Sequence, residues 1–332
     1  MKSIQKILLA ACTAMLFVYC SKEQPQSLVP KTADLDPSIS SISVNGARLH
    51  SEAFGHPDST MVVMIHGGPG GDYRDMLNAK ALASHGYRVV FYDQRGSGLS
   101  QRFSMQSYTN LGMGALNMMY DELAGVIAEY RTKSSQKVFL LGHSWGGILA
   151  SGFTGKYPDK VNGLVVAEPG GLKWEDIKEY VGESRSFSLW GETLNDASYL
   201  DQFLTGKEDQ HEILDYKAAM TGSVNEITGE NSTTPGSFWR AGAVVNSALF
   251  KIGEKHFPDF SAGLNNFNVP VLFIYSEKNK AYPLSWAQKI SAAYNTADLF
   301  KVNGVGHGGI IKDNQAWTQQ VMPKVLSYFA TL

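Results

Sequence analysis

The chain has 332 residues, a length that suits one large α/β domain with an insertion or a pair of domains. Apolar residues make up 43% and charged residues 18%, so the composition is that of an ordinary globular protein and excludes an intrinsically disordered chain. The formal net charge is −2 and no basic run is present, which leaves no electrostatic basis for binding nucleic acid.

The N-terminal residues predict an export signal. Two lysines precede an apolar run at residues 7–19, which is too short to span a bilayer and is typical of a secretory signal. Cys20 ends this run and resembles the lipidated cysteine of a bacterial lipoprotein signal. We therefore expect residues 1–20 to direct export to the bacterial cell envelope, with a lipid anchor on Cys20 that faces the periplasm or the exterior. Cleavage at Cys12, plain export and an uncleaved anchor are the alternatives.

The next elements predict an α/β fold. Residues 21–38 are polar and contain proline, which is typical of a tether. Residues 39–54 predict a hairpin that turns at Asn45-Gly46. Buried-strand patterns follow at 61–65, 87–92, 137–141 and 161–167, with helical sequence at 75–84 and 115–132 between them. This alternation predicts a mostly parallel sheet that is covered on both faces.

The pattern changes at residue 171. Helical and irregular sequence with several aromatic residues continues to residue 266, and the strand pattern resumes with an apolar run at 269–275. We interpret 171–266 as a mainly helical lid that is inserted into a core formed by 39–170 and 267–332. A second domain without contact to the functional site is the alternative interpretation.

The most specific motif is Gly142-His143-Ser144-Trp145-Gly146, which follows an apolar strand pattern and precedes helix-compatible sequence. In this context it indicates a nucleophile elbow, a sharp turn that exposes the serine oxygen above a sheet. The glycines fit such a turn because a Cβ atom there would collide with the neighbouring strand or helix. Both cysteines lie in the first 20 residues, so no thiol competes with Ser144 as the nucleophile.

A glycine-rich stretch at residues 66–71, HGGPGG, follows the first long strand pattern. Backbone N–H groups in such a turn can stabilise a developing negative charge, together with the N–H of the residue after the nucleophile. Gly68 and Trp145 are therefore the predicted oxyanion-hole donors. A purely structural turn is the alternative, and the absence of the Lys-Ser/Thr pair of a P-loop disfavours phosphate binding.

His307 is the predicted general base. It lies in the stretch GVGHGG at 304–309, after a strand pattern at 299–302 and near the C-terminus. This placement fits the chain order serine, acid, histidine. His66 lies in the glycine-rich turn and His143 in the elbow, and a structural role is more typical at both positions. For His307, the alternative is a surface-loop histidine without a catalytic role.

Three motifs together, HGGPGG at 66–71, YDQRGSGLS at 92–100 and GHSWGG at 142–147, resemble the α/β-hydrolase fold. More narrowly, they look like the proline iminopeptidase branch, whose members release N-terminal residues, often proline, from short peptides. The resemblance covers about 41–171 and 269–332. Almost no resemblance is found across the predicted insertion. It implies a hydrolase core in which Asp93 and Arg95 hold the loop beside the oxyanion turn.

The triad acid departs from the family pattern. Its usual place follows the strand at 269–275, but the turn here reads SEKN, which puts an amide, Asn279, where the carboxylate is expected. Glu168 follows the strand after the elbow helix, and some α/β-hydrolases, including certain haloalkane dehalogenases, resemble this arrangement. We predict Glu168 as the acid and keep Glu277 as the alternative. A dyad or an inactive triad also stays open, and a salt bridge at the lid hinge is the structural alternative for Glu168.

The resemblance favours a serine hydrolase, first an exo-aminopeptidase of proline iminopeptidase type that acts on short peptides. An esterase or lactonase acting on small neutral esters is the competing substrate class. A ligand-binding lipoprotein without turnover, and a lyase or cofactor-free peroxidase on the same fold, are further alternatives. Epoxide hydrolase and haloalkane dehalogenase chemistry are disfavoured because both need a carboxylate nucleophile where Ser144 stands.

No cofactor and no metal ion are expected. The histidines offer no metal-ligand spacing, and serine hydrolysis requires no metal. The expected partners are a small-molecule or short-peptide substrate, with no nucleic acid, and with membrane contact through the N-terminal lipid anchor only. The sequence does not address the oligomeric state.

Overall fold

The computed structural model describes residues 29–184, 211–220, 225–230 and 240–332. The predicted signal segment, both candidate lipidation sites (Cys12 and Cys20) and residues 21–28 of the predicted tether lie outside the described residues. None of the described helices combines the length and the apolar content that a membrane crossing requires.

Within the described residues, eight strands form one sheet in the order β1-β2-β4-β3-β5-β6-β7-β8. These strands are β1 Ser41–Val44, β2 Ala47–Phe54, β3 Met61–Ile65, β4 Arg88–Tyr92, β5 Val138–His143, β6 Gly163–Ala167, β7 Val271–Ser276 and β8 Ala297–Val302. β2 pairs antiparallel with β1 and β4, and all pairs from β4-β3 to β7-β8 are parallel. The mostly parallel sheet and the hairpin at Asn45-Gly46 are therefore confirmed.

The described helices flank this sheet. They are α1 Met105–Thr109, α2 Gly114–Tyr130, α3 Trp145–Lys156, α4 Trp174–Ser184, α5 His211–Met220, α6 Ala243–His256, α7 Leu284–Ser291, α8 Gly309–Lys312, α9 Asn314–Ala316 and α10 Met322–Phe329. The segment predicted as helical at 75–84 is a 3₁₀ helix, Tyr73–His85, and a π-helical turn, Trp317–Val321, precedes α10.

Each face of the sheet carries its own hydrophobic core, because alternate side chains of a strand point to opposite faces. On one face, Val63 and Leu140 pack with residues of α2, α3 and α6. On the other face, Val62 and Leu141 pack with the 3₁₀ helix and with α10. Strands buried on both faces explain the continuous apolar runs in the sequence.

The described part of the segment interpreted as the insertion contains three helices, α4, α5 and α6, and packs against the core. Residues of α4, α5 and α6 belong to the same hydrophobic cluster as the elbow helix α3. Gly253 of α6 lies directly against the Trp174 ring of α4, at a distance that leaves no room for a Cβ atom. The first described residues also pack on the fold, since Thr32 and Ala33 are buried and the N–H of Ala33 donates to the carbonyl of Leu99 at 2.8 Å.

A buried carboxylate joins the insertion to the core. Asp215 of α5 accepts hydrogen bonds at Oδ2 from Arg102 (2.9 Å) and Arg240 (2.7 Å), and all three side chains are almost fully buried. Arg240 also donates to the carbonyl of Pro30 at 3.1 Å. Arg240 also pairs with the partly exposed Glu212 at 3.5 Å, so loss of the Asp215 charge leaves the buried Arg102 without its carboxylate and Arg240 with the weaker of its two.

We predict that Asp215→Asn lowers the free energy of unfolding by about 3 kcal/mol, the loss typical of breaking a buried ion pair. Glu254→Gln is the control, because it removes an exposed pair with Lys178 at 3.2 Å and should cost no more than about 1 kcal/mol. Urea unfolding of both variants measures the difference. Equal losses would show that the buried cluster contributes no more than the exposed pair.

Candidate active site

The strand register brings the predicted site residues to one edge of the sheet. Ile65 of β3 lies opposite Gly142 of β5, and His143 lies opposite Ala167 of β6. The residues that follow these strands therefore meet at the carboxyl edge of the sheet, where α/β folds bind their ligands. Ser144 and Glu168 are the first residues beyond β5 and β6.

Ser144 sits on a sharp turn between β5 and α3. Its backbone has φ +55° and ψ −125°, a strained conformation for a residue with a side chain. A Cβ atom on Gly146 would collide with the carbonyl of Ile65, and one on Gly142 would collide with Gly146. The turn thus requires both glycines of the motif and has the geometry of a nucleophile elbow.

The glycine-rich turn lies beside the serine. A Cβ atom on Gly67 would lie 3.1 Å from the Cβ of Ser144, and Gly68 has φ +128°. Trp145 begins helix α3, where the N–H groups of the first turn have no partner within the helix. Among the described residues, neither the N–H of Gly68 nor that of Trp145 donates a hydrogen bond. Both groups are available to an oxyanion.

A hydrogen-bonded network fixes this turn relative to the elbow. The N–H of Gln94 donates to His66 Nε2 at 3.0 Å, and its side-chain Nε2 donates to the carbonyl of His66 at 2.8 Å. The indole of Trp145 donates to Gln94 Oε1 at 2.9 Å. Burial lowers the pKa of His66 to about 4, so its ring is neutral and can accept at Nε2 near pH 7.

Gln94 is the residue of the DQRGSG stretch that touches the site, and the sequence analysis did not single it out. Asp93 accepts from the N–H groups of Tyr73 (2.9 Å) and Leu99 (2.8 Å), and Arg95 pairs with Glu122 at 2.6 Å. These two neighbours hold the loop, as expected from the resemblance, and Gln94 connects that loop to the oxyanion turn and the elbow.

Glu168 is fully buried and hydrogen-bonded at both carboxylate oxygens. Oε1 accepts from the N–H and the hydroxyl of Ser276, each at 2.6 Å. Oε2 accepts from Asn279 Nδ2 at 2.8 Å and from His307 Nδ1 at 2.6 Å. Four donors satisfy the carboxylate, which is the condition for keeping such a group inside a protein.

The two alternative acid positions differ in their contacts. The Asn279 side chain is buried and donates to Glu168 Oε2. The amide therefore binds the carboxylate of Glu168 and does not take its place beside His307. Glu277 is exposed, accepts from the N–H of Gly304 at 2.8 Å and pairs with Lys301 at 3.7 Å. The geometry therefore associates Glu168, and not Glu277, with His307.

His307 has its Nδ1 atom engaged with the acid, which leaves Nε2 for a proton from a substrate or a nucleophile. Its carbonyl lies 2.9 Å from His143 Nε2, and the two imidazole rings are 4.6 Å apart. Burial, and to a smaller extent the charge of His307, lowers the pKa of His143 well below its usual value. No hydrogen bond joins the described side chains of Ser144 and His307; such bonds are often long in unliganded enzymes.

Tyr180 of α4 is a further residue that the sequence analysis missed. Its hydroxyl accepts from Asn279 Nδ2 at 3.1 Å and lies 3.3 Å from His307 Nδ1. Burial and the nearby charge of Glu168 raise the pKa of Tyr180. It lies in the segment interpreted as the insertion, where no motif is recognisable, so only the folded arrangement reveals its contacts with His307 and Asn279.

An apolar pocket opens beside Ser144. Its described lining comes from the oxyanion turn, the elbow and two helices of the insertion: Gly68, Pro69, Ser144, Trp145, Ile148, Gly170, Trp174, Ile177, Tyr180, Val181, Leu249 and Phe250. None of these described residues is charged. Within the described ranges, no three His, Cys, Asp or Glu side chains group closely enough to hold a metal ion.

Comparisons with known proteins identify the fold family. The model of the α/β-hydrolase fold family matches residues 60–313. Proline iminopeptidase PfmaB of Pestalotiopsis fici is 24% identical over 296 residues, which are 84% of this chain and 96% of that protein. Epoxide hydrolase B of Mycobacterium tuberculosis is 32% identical over 126 residues, but these are only 37% of this chain and 33% of that protein.

A solved structure shows the same fold. The crystal structure of proline iminopeptidase from Mycobacterium smegmatis superimposes with a TM-score of 0.54 at 17% identity, over 87% of this chain and 97% of that one. Since the family model spans more than half of the chain, this protein belongs to the α/β-hydrolase fold family.

Proposed function

We propose that this protein is a serine hydrolase in which Ser144 is the nucleophile, His307 the general base and Glu168 the acid. The observation that carries the proposal is the 2.6 Å hydrogen bond between Glu168 Oε2 and His307 Nδ1, at the sheet edge where Ser144 occupies a strained elbow. The hydrolases among the relatives support the reaction class.

The proposed reaction has two acyl-transfer steps. His307 Nε2 takes the proton of Ser144 as its oxygen attacks the substrate carbonyl, and the N–H groups of Gly68 and Trp145 stabilise the negative oxygen. The imidazolium then protonates the leaving group, which yields an acyl-enzyme on Ser144. Water repeats the sequence with His307 as base, and the acid product leaves with Ser144 regenerated.

Glu168 supports each proton transfer by electrostatics. Its buried carboxylate fixes the Nδ1–H tautomer of His307 and stabilises the imidazolium that forms. Ser276 and Asn279 keep that carboxylate in one orientation. The amide at Asn279 therefore does not argue for an inactive protein, because it acts as a donor to an acid supplied by the preceding strand.

The first substrate class is a short peptide with a free N-terminus, cleaved by an exo-aminopeptidase of proline iminopeptidase type. This assignment is supported by the sequence motifs and by the relative of that name, which matches over almost its full length. An apolar pocket suits the ring of an N-terminal proline.

A neutral ester or lactone is the second substrate class, and one observation favours it. An aminopeptidase needs an anionic group for the substrate ammonium, but the described residues that line the pocket include no carboxylate. A neutral acyl group needs only the apolar wall and the oxyanion donors.

We also propose that the protein is exported and anchored through a lipid on Cys20. The apolar run that ends at this cysteine supports the proposal. Metabolic labelling with a fatty acid tests it, because Cys20→Ser should abolish incorporation and Cys12→Ser should not. Labelling that persists in Cys20→Ser would contradict it.

We predict that Glu168→Gln lowers kcat by roughly 10²- to 10⁴-fold, because a neutral amide no longer stabilises the imidazolium. Ser144→Ala should abolish labelling by a fluorophosphonate. Glu277→Gln is the matched control, since its exposed side chain lies away from His307 and kcat should change by less than about twofold. The acid assignment fails if Glu277→Gln is the damaging substitution and Glu168→Gln is not.

Substrate class is tested with the soluble chain that begins at Ser21. We expect turnover of prolyl and alanyl arylamides with a free amine, and little turnover of the same compounds with a blocked amine, because the blocked group removes the ammonium that an aminopeptidase recognises. Short-chain aryl esters are assayed beside them. Hydrolysis of esters and blocked amides alone would replace the aminopeptidase assignment with an esterase or lactonase.

A further inference from the structure

A six-residue segment, residues 225–230, binds the loop of His307 and the loop of Asn279, whose side chain donates to Glu168; we refer to this segment as the clasp. The carbonyl of Thr228 accepts from the N–H of His307 at 2.9 Å, and the carbonyl of Ile227 accepts from the N–H of Lys280 at 2.7 Å. His307 is the proposed base, and Lys280 directly follows Asn279. The clasp thus bonds to the main chain at or next to two residues, His307 and Asn279, whose side chains donate to Glu168.

A carboxylate of the clasp binds the next peptide group. Glu230 Oε1 accepts from the N–H of Gly308 at 2.5 Å, so the N–H groups of His307 and Gly308 both donate to the clasp. Hydrogen bonds to an ionised acceptor are stronger than those between neutral groups. Glu230 therefore makes a specific contact with the backbone immediately after the base.

The clasp is closed by its own hydrogen bonds. The N–H of Asn225 donates to the carbonyl of Glu230 at 3.0 Å, and the N–H of Glu230 donates back at 2.7 Å. Asn225 Oδ1 accepts from the N–H groups of Ile227 (3.0 Å) and Thr228 (3.1 Å). This Asx-type turn presents the carbonyls of Ile227 and Thr228 outward.

Two glycines permit the close approach of the clasp to the base loop. Gly229 has φ +78°, and a Cβ atom on it would lie 2.7 Å from Lys278 Cβ and 2.9 Å from Gly306 Cα. A Cβ atom on Gly306 would collide with the carbonyl of Thr228. The contact thus depends on one glycine on each side.

The clasp also reaches the helix that carries Tyr180. Asn225 Nδ2 donates to the carbonyl of Ser184, the last residue of α4, at 2.6 Å. Tyr180 of the same helix contacts Asn279 and His307. The insertion therefore meets the acid–base pair through a side chain of α4 and through the backbone of the clasp.

We propose that the clasp positions the general base, and that Glu230 is a positioning residue that acts through the Gly308 N–H. The inference rests on the proposed triad. Glu168 fixes one ring atom of His307, and the clasp fixes the main chain from which that ring projects. Small displacements of a catalytic group can cost large factors in rate, so loosening this backbone reduces catalysis without removing a catalytic group.

The test compares Glu230→Ala, which removes the acceptor, with Glu230→Gln, which keeps an oxygen acceptor at the same position. Glu226→Ala is the matched control, because Glu226 is an exposed carboxylate of the same segment. Each variant of the full chain is assayed at a temperature well below the lowest unfolding midpoint of the set. The readouts are kcat and KM for a neutral aryl ester and for a free-amine arylamide, the rate of fluorophosphonate labelling of Ser144, and amide hydrogen exchange at residues 307 and 308.

We expect Glu230→Ala to lower kcat and the labelling rate about tenfold and to speed exchange at 307 and 308, with KM changed less than about twofold. Glu230→Gln should recover most of the loss, and Glu226→Ala should match the wild type. Unchanged ester turnover, labelling and exchange in Glu230→Ala would overturn this inference but not the proposed function.

Two other results are also decisive. A loss confined to free-amine arylamides, with normal ester turnover, would make Glu230 a ligand of the substrate amine and overturn the positioning role. A wild type that neither turns over any substrate nor reacts with the fluorophosphonate would overturn the proposed function, and this inference with it.

Discussion

The proposed acid–base site depends on one buried carboxylate. Glu168 projects from the end of β6 into a position without solvent, where a charge is tolerated only with full hydrogen bonding. Ser276, Asn279 and His307 provide that bonding, and each comes from a loop or strand end later in the chain. The carboxylate therefore joins β6, β7 and the loop after β8 at a single point.

The insertion completes this arrangement, although its sequence carries no recognisable motif. Its helices form the apolar wall of the pocket, Tyr180 contacts His307, and residues 225–230 bind the base loop. Asp215, buried between two arginines, secures another part of the insertion to the core. The described insertion is therefore an integral part of the structure around the site.

The sequence predicted the sheet, the elbow and the oxyanion turn because these depend on local patterns: apolar strands, paired glycines and a serine at fixed spacing. It also predicted the contact between Glu168 and His307, since the carboxyl ends of parallel strands all lie at the same edge of the sheet, although β7 separates β6 from β8. Ser276, Gln94 and Tyr180 escaped prediction because their roles arise from tertiary contacts of common polar residues. Glu277 was a plausible acid in sequence, but its side chain lies on the exposed side of its loop.

Glu168 lies close in sequence to the start of the insertion, which links the insertion to the proposed acid. Glu168 is separated from His307 by 139 positions, and the segment interpreted as the insertion begins at residue 171, three positions after this proposed acid. An acid on the following strand would instead come after the whole insertion. In this chain, the first residues of the insertion and the proposed acid lie on one short stretch of backbone. Exchange of the insertion between related proteins would therefore have to keep this stretch of backbone in place.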